Sequence, residues 1–178
     1  MPTARVEALY TAREDSAPMV EHDRVRLVEG GVEGDRYLTG RGYYSPFDVC
    51  EVTVVAVEAL EAIRDEFDID LTDGRHRRNV VVRGADLEAL LGATFRLGDA
   101  DAGAVLRGTR PRPPCAHVEE VADEAGVASA LRGRRGGICA DVVAPGAVVV
   151  DDGVAVLEDD ARSEGQKIAD RLRGSTAE

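Results

Sequence analysis

Short runs of branched and small apolar residues, separated by glycine-rich turns, limit this chain to sheet-dominated folds. Val6–Tyr10, Val25–Val28, Glu51–Val57, Asn79–Arg83, Thr94–Leu97, Ala104–Arg107, Ile138–Val143, Ala147–Val150 and Val154–Leu157 all have strand character. The alternation through Glu51-Val52-Thr53-Val54 predicts a strand with one buried face. Three stripes at helical spacing interrupt the strands. The first is Val57, Leu60, Ile63 and Phe67, the second is Leu87, Leu90 and Leu91, and the third begins at Val118. Many closely spaced strands with few helices predict a mainly β (α+β) domain, a closed or partly closed β-barrel with helices in its connections. Residues 1–158 suit that one domain. From 159 to 178 the chain turns charged and weakly amphipathic, with Ile168 and Leu172, which predicts a peripheral helix or a frayed end.

Composition narrows the function classes. Acids outnumber bases 34 to 22, giving a net charge of -12. Phosphate backbones require a basic footprint, so the balance argues against nucleic-acid partners. Apolar runs such as Ala147–Val150 are too short to span a bilayer, and no apolar signal core opens the chain. A cytoplasmic protein without membrane partners is expected. Of the 22 bases, 21 are arginine and Lys167 is the one lysine. A pyridoxal Schiff base needs a lysine, and this one lies in the charged tail, so pyridoxal phosphate is expected only on a partner. An acidic, lysine-poor surface also suits a salt-rich, halophilic cytoplasm, although GC-rich coding gives a similar bias. If self-repulsion matters, the melting temperature measured from low to molar potassium chloride rises as the charge is screened. A flat or falling curve removes the halophilic reading.

The chemistry converges on Arg110-Pro111-Arg112-Pro113-Pro114-Cys115-Ala116-His117. Each proline fixes its own φ and extends the residue before it, so the lead to Cys115 is stiff. A helical pattern follows, and arginines flank the thiol. Both features favour thiolate, the form that attacks sulfur or ligates metal. The alternative is a packed cysteine acting as a small hydrophobe. Cys50 and Cys139 have strand contexts and read as structural. Three widely spaced cysteines predict reduced thiols rather than a disulfide framework.

Four glycine- and arginine-rich segments lie at strand ends: Gly34–Tyr37, Arg75–Asn79, Arg107–Arg110 and Arg132–Gly137. Converging N–H groups and forked guanidinium groups suit an anion. The expected contacts are Arg36, Arg77, Arg78, Arg110 and Arg135, completed by Asn79 and the backbone of Gly136 and Gly137. Adjacent arginines at a strand's start point to opposite faces, so only one of Arg77 and Arg78 is expected to enter a site. Taken singly, each segment reads more readily as a solvated turn whose arginines pair with surface acids; their recurrence around the cysteine favours a shared anion site. His117 is a candidate for orienting a ligand. With His22 and His76 it is too scattered to form a zinc site, and no Walker, G-x-G-x-x-G, H-E-x-x-H or C-x-x-C motif occurs.

In order, Gly34–Tyr37, Val52–Val55 with Glu58–Leu60, Arg77–Val80, Gly84–Leu87 with Leu90–Gly92, Phe95–Asp99, Pro114–His117 and Arg135–Ile138 resemble the MOSC domain. That family is named for the C-terminal domain of molybdenum cofactor sulfurases. The resemblance is to its small, stand-alone form, without a pyridoxal-binding sulfurase domain. It implies a β-barrel-like fold and one functional cysteine, Cys115, which either accepts sulfur as a persulfide or ligates molybdenum of the molybdenum cofactor. The implied partners are a cysteine desulfurase or sulfurase as donor and a molybdoenzyme or metal-sulfur acceptor. Other functions considered are a molybdenum-dependent reductase of N-hydroxylated compounds and a non-catalytic barrel that binds an anionic metabolite. Small members often carry a second cysteine where this chain has Arg112.

Overall fold

The computed structural model describes residues 3–42, 50–114 and 116–159, with the backbone alone at residues 158 and 159. Eight strands form one sheet in the order β11-β7-β8-β9-β5-β6-β1-β2. Their ranges are β1 Arg5–Thr11, β2 Val20–His22, β5 Val52–Ala56, β6 Val80–Arg83, β7 Ala93–Leu97, β8 Ala104–Pro111, β9 Ile138–Ala144 and β11 Val154–Asp159. A three-stranded sheet in the order β10-β3-β4 uses Gly146–Val149, Arg24–Val28 and Gly31–Val32. The mainly β expectation holds, but the barrel is not closed. The large sheet curls until β1 meets the start of β11 at the Arg5↔Gly153 bridge, where Val154 N donates to Ala4 O at 2.9 Å.

β5 sits deeper than its alternation implied. Val52 and Val54 enter one apolar cluster with Val80, Val82, Phe95 and Leu106. On the other face, Val55 joins Val81, Leu60, Ile63 and Leu131. Helices cover that second face: α1 Val57–Phe67, α3 Ala116–Ala122 and α4 Val127–Ala130. The fourth helix, α2 Leu87–Leu90, packs its Leu87 and Leu90 on the first cluster. α1 supplies the crossover between β5 and β6, which pair in parallel. It stops at Asp68, whose φ of 57° is left-handed and whose N–H closes back on Arg64 O.

Thr53 shows why both faces of β5 can be buried. Its N–H and Oγ1–H both donate to Asn79 Oδ1, and its Oγ1 accepts from Asn79 N at 2.9 Å. Asn79 Nδ2 then donates to Tyr10 O at 3.2 Å. The one polar residue within β5 is thereby satisfied in the interior, at the seam joining β5, β6 and β1.

Cys50 and Cys139 form a disulfide, so the expectation of reduced thiols is corrected. They are 89 residues apart in sequence, but Cys50 lies just before β5 and Cys139 in its antiparallel neighbour β9. Folding brings their Cα atoms to 5.5 Å, within normal disulfide reach. Linear spacing carried no sign of this neighbourhood. The tail beginning at residue 159 lies outside the described residues apart from the backbone of Asp159, which ends β11. Among the described residues no helix is long and apolar enough to cross a membrane.

Candidate functional site

Cys115 lies outside the described residues, but its immediate neighbours define the surroundings. β8 delivers the proline lead, and α3 begins at Ala116, as the helical pattern predicted. Between them Arg112 is buried and doubly anchored. Its N–H donates to Gly137 O at 2.8 Å, and its Nη2 donates to Tyr37 OH at 2.8 Å. A guanidinium, not a second thiol, therefore faces Tyr37 three residues before Cys115.

Tyr37 belongs to the Gly34–Tyr37 turn, which the interior holds tightly. Asp35 is fully buried and accepts from Ala12 N, Tyr37 N and Arg36 Nη1. The Arg36 guanidinium lies 4.7 Å from the Tyr37 ring centroid, and that of Arg112 lies 5.5 Å from it. Arg36 Nη2 donates onward to Arg77 O.

Arg77 and Arg78 depart from the expected strand-edge pair. β6 starts only at Val80, and Arg77 has a left-handed φ of 63°. The alternation argument therefore does not apply, and both side chains are buried. Arg77 reaches the loop after β1, donating to Ala17 O at 2.6 Å and Asp15 O at 2.7 Å. Arg78 reaches the opposite wall, where Nε donates to Gly136 O at 2.8 Å. Burial, followed by the Arg36 charge, lowers the Arg77 pKa to about 10, so it remains charged at neutral pH.

His76 keeps this crowded cluster from gaining another cation. It is fully buried, and burial together with Arg78 and Arg77 lowers its pKa to about 3. Its Nδ1 accepts from Arg78 N at 2.9 Å, which places the neutral ring's proton on Nε2. The ring packs edge-on to Tyr10 with centroids 5.1 Å apart.

His117, near the start of α3, places Nε2 3.3 Å from Asp15 O in the same loop that Arg77 holds. It thus sits on the arginine side of the lead. Gly136 and Gly137 form the facing wall, at the end of the short 3-10 helix Gly133–Gly136. They approach other backbone so closely that a Cβ on Gly136 would lie 2.4 Å from Arg112 O.

The other expected contacts lie apart from this cluster. Arg135 pairs with Glu66 Oε2 at 2.9 Å and covers the Phe67 ring at 4.9 Å, tying the 3-10 helix to α1. Arg110 is exposed on β8 opposite Cys139. Asn79 is taken up by Thr53 and Tyr10. Sequence reasoning did not single out Tyr37, Asp35, His76 or Arg112 as site-forming. Tyr37 and Asp35 had a usable signal in the Gly-Asp-Arg-Tyr turn.

Among the described residues the buried charged groups are four arginines, Arg36, Arg77, Arg78 and Arg112, and one carboxylate, Asp35. Guanidinium groups gathered around Tyr37 and the glycine wall offer forked donors that suit an oxyanion.

The comparisons with known proteins agree with the fold. The crystal structure of YuaD protein from Bacillus subtilis matches with 26% identity and a TM-score of 0.71, covering 88% of this chain and 97% of YuaD. YiiM from Geobacillus stearothermophilus matches with 14% identity and a TM-score of 0.64, covering 87% of this chain and 75% of that one. YiiM from Escherichia coli matches with 22% identity and a TM-score of 0.62, covering 89% and 71%. At those identities the two YiiM structures speak for the fold alone. Among curated proteins none matches the sequence. The MOSC domain pattern matches residues 47–155, well over half of the chain and inclusive of the proline lead and its glycine wall. With that match added to the fold, the chain belongs to the MOSC domain family.

Proposed function

We infer that this protein carries sulfur on Cys115, or binds molybdenum cofactor there, with the arginine cluster holding the anionic part of the ligand. The observation that carries the reading is the gathering of buried arginines beside the cysteine's lead. Arg36, Arg77, Arg78 and Arg112 are buried, Arg36 and Arg112 both lie against the Tyr37 ring, and Arg112 precedes Cys115 by three residues. Arginine forks hold phosphate and related oxyanions through paired charged hydrogen bonds.

In the sulfur-carrying form, the Cys115 thiolate attacks the terminal sulfur of a donor persulfide. A new S–S bond forms on Cys115, the donor's S–S bond breaks, and the donor leaves as a thiolate. The surrounding positive charge lowers the cost of the thiolate before attack. The partners fitting this step are a cysteine desulfurase or sulfurase as donor and a molybdoenzyme or metal-sulfur site as acceptor. These residues also suit molybdenum cofactor: Arg36, Arg77, Arg78 and Arg112 match its phosphate, and Cys115 supplies a thiolate ligand. When bound, the cofactor supplies a metal centre for oxygen-atom or electron transfer, the chemistry that reduction of N-hydroxylated compounds would use.

The test is intact mass after exposure to a cysteine desulfurase and cysteine, with elemental analysis of the protein as purified. Wild type is expected to gain the mass of one sulfur atom, reversible by reductant, or to retain molybdenum near one atom per chain. Cys115→Ser is expected to do neither. Sulfur gain or molybdenum retention in Cys115→Ser overturns the reading, as does the absence of both from wild type.

A further inference from the structure

Three side chains at three-residue spacing shape the loop between α1 and β6 in the same way. Asp70 Oδ1 accepts from Thr72 N at 2.9 Å, Asp73 Oδ1 from Arg75 N at 3.2 Å, and His76 Nδ1 from Arg78 N at 2.9 Å. Each is an Asx-type turn, in which a side-chain acceptor takes the N–H two residues on. The first two acceptors are exposed carboxylates. The third is a fully buried imidazole, which accepts at Nδ1 only while that nitrogen carries no proton.

Charge explains the change of acceptor. Where a carboxylate holds such a turn and an arginine lies within it, the carboxylate also takes the guanidinium. Asp73 takes Arg75, with Nε 2.8 Å from Oδ2, and Asp35, which accepts from Tyr37 N, takes Arg36 at 3.2 Å. The turn at His76 contains two arginines, and their guanidinium groups reach backbone carbonyls instead. Arg77 bonds Ala17 O and Asp15 O, while Arg78 bonds Gly136 O on the glycine wall and returns to His76 O at 3.2 Å. The ring is a costly choice for the interior, because its Nε2–H meets no acceptor among the described residues. An aliphatic side chain avoids that cost, so what the ring contributes lies at Nδ1.

We propose that His76 is the positioning residue of the arginine cluster, holding the Arg78 turn as an aspartate would but with an uncharged acceptor that leaves both guanidinium groups to the two walls and to an anion. A carboxylate at this position would be an internal anion in competition with the ligand. The proposal rests on the reading of the cluster as an anion site only in naming the anion.

The test compares His76→Asn, His76→Asp and His76→Leu. Asn and Asp are isosteric, leave the same space beside Tyr10 and both accept from Arg78 N, so they differ in charge alone. One readout is the hydrogen-exchange protection of the Arg78 Nε–H, which its bond to Gly136 O shields, followed by NMR. The other is the affinity for inorganic phosphate, measured by calorimetry. His76→Asn is expected to keep both near their wild-type values. His76→Asp is expected to lose about tenfold in each, because the carboxylate draws in Arg78 as Asp73 draws in Arg75 at the same spacing. His76→Leu, without an acceptor, is expected to lose the Nε–H protection to a similar extent. Equal protection in the Asn and Asp variants overturns the proposal, as does wild-type protection in His76→Leu. Should His76→Leu fail to fold, the isosteric pair still decides. Wild-type protein that binds no phosphate sinks the anion reading alone, and the protection of Arg78 judges His76 without it.

Discussion

Gly137→Ala is expected to be among the most destabilising single substitutions in the chain, costing about 3–5 kcal/mol. Two effects add at this position. Its φ of 82° with ψ of -163° is a conformation that L side chains rarely adopt. A Cβ would also lie 2.1 Å from Val54 O and 3.0 Å from Val54 C. Val54 belongs to β5, the strand buried on both faces, so that carbonyl has little room to move. Gly92→Ala separates the two effects, because its φ of 74° carries strain while its Cβ position touches nothing within 4 Å. That variant is expected to lose only about 1–2 kcal/mol. Urea unfolding of both variants at one pH measures the difference. Equal losses would mean that the wall yields at Gly137 and that the close approach has no energetic weight. The functional consequence follows from geometry. Gly137 O anchors Arg112 N, and Gly136 O accepts from Arg78, so a displaced wall disturbs both arginines.

The strands were legible because hydrophobic alternation is a local property. Val80-Val81-Val82 reads as a strand and is one, and its alternate residues enter the two apolar clusters. The helix following the prolines was legible for the same reason. Arg77, Arg78 and Asn79 were legible as important but not in their geometry. A local reading extends the strand backward through them, and the left-handed turn at Arg77 depends on its neighbours. Basic, glycine-rich loops also look solvated in sequence. Arg112 is buried where Tyr37 and Gly137, distant in sequence, meet it, and Arg36 is buried where its guanidinium reaches the Arg77 carbonyl. Asn79 was assigned to a ligand, yet its amide meets Thr53, a contact created by the parallel pairing of β5 with β6. Each of these contacts depends on sheet order, which periodicity does not encode.

Reducing the Cys50–Cys139 bond is expected to lower stability by about 2–4 kcal/mol, because the crosslink constrains a long loop of the unfolded chain. The separation of 89 residues places it toward the upper end of that range. Folded-state contacts should change little, since both cysteines are buried and reduced thiols pack as small hydrophobes. The bond joins the segment leading into β5 to β9, close to the wall that holds Arg112. Urea unfolding of oxidised protein, of protein held in a phosphine reductant, and of the Cys50→Ala/Cys139→Ala double variant measures the effect. The reduced and double-variant midpoints are expected to fall together below the oxidised one. Thiol titration supplies an independent check. The chain has three cysteines, two of them in this bond, so native oxidised protein should yield one reactive thiol, at Cys115. Limiting iodoacetamide should then label Cys115 alone until reductant is added. Coincident midpoints in all three forms, or native labelling at Cys50 or Cys139, would show that the two sulfurs are not bonded in solution.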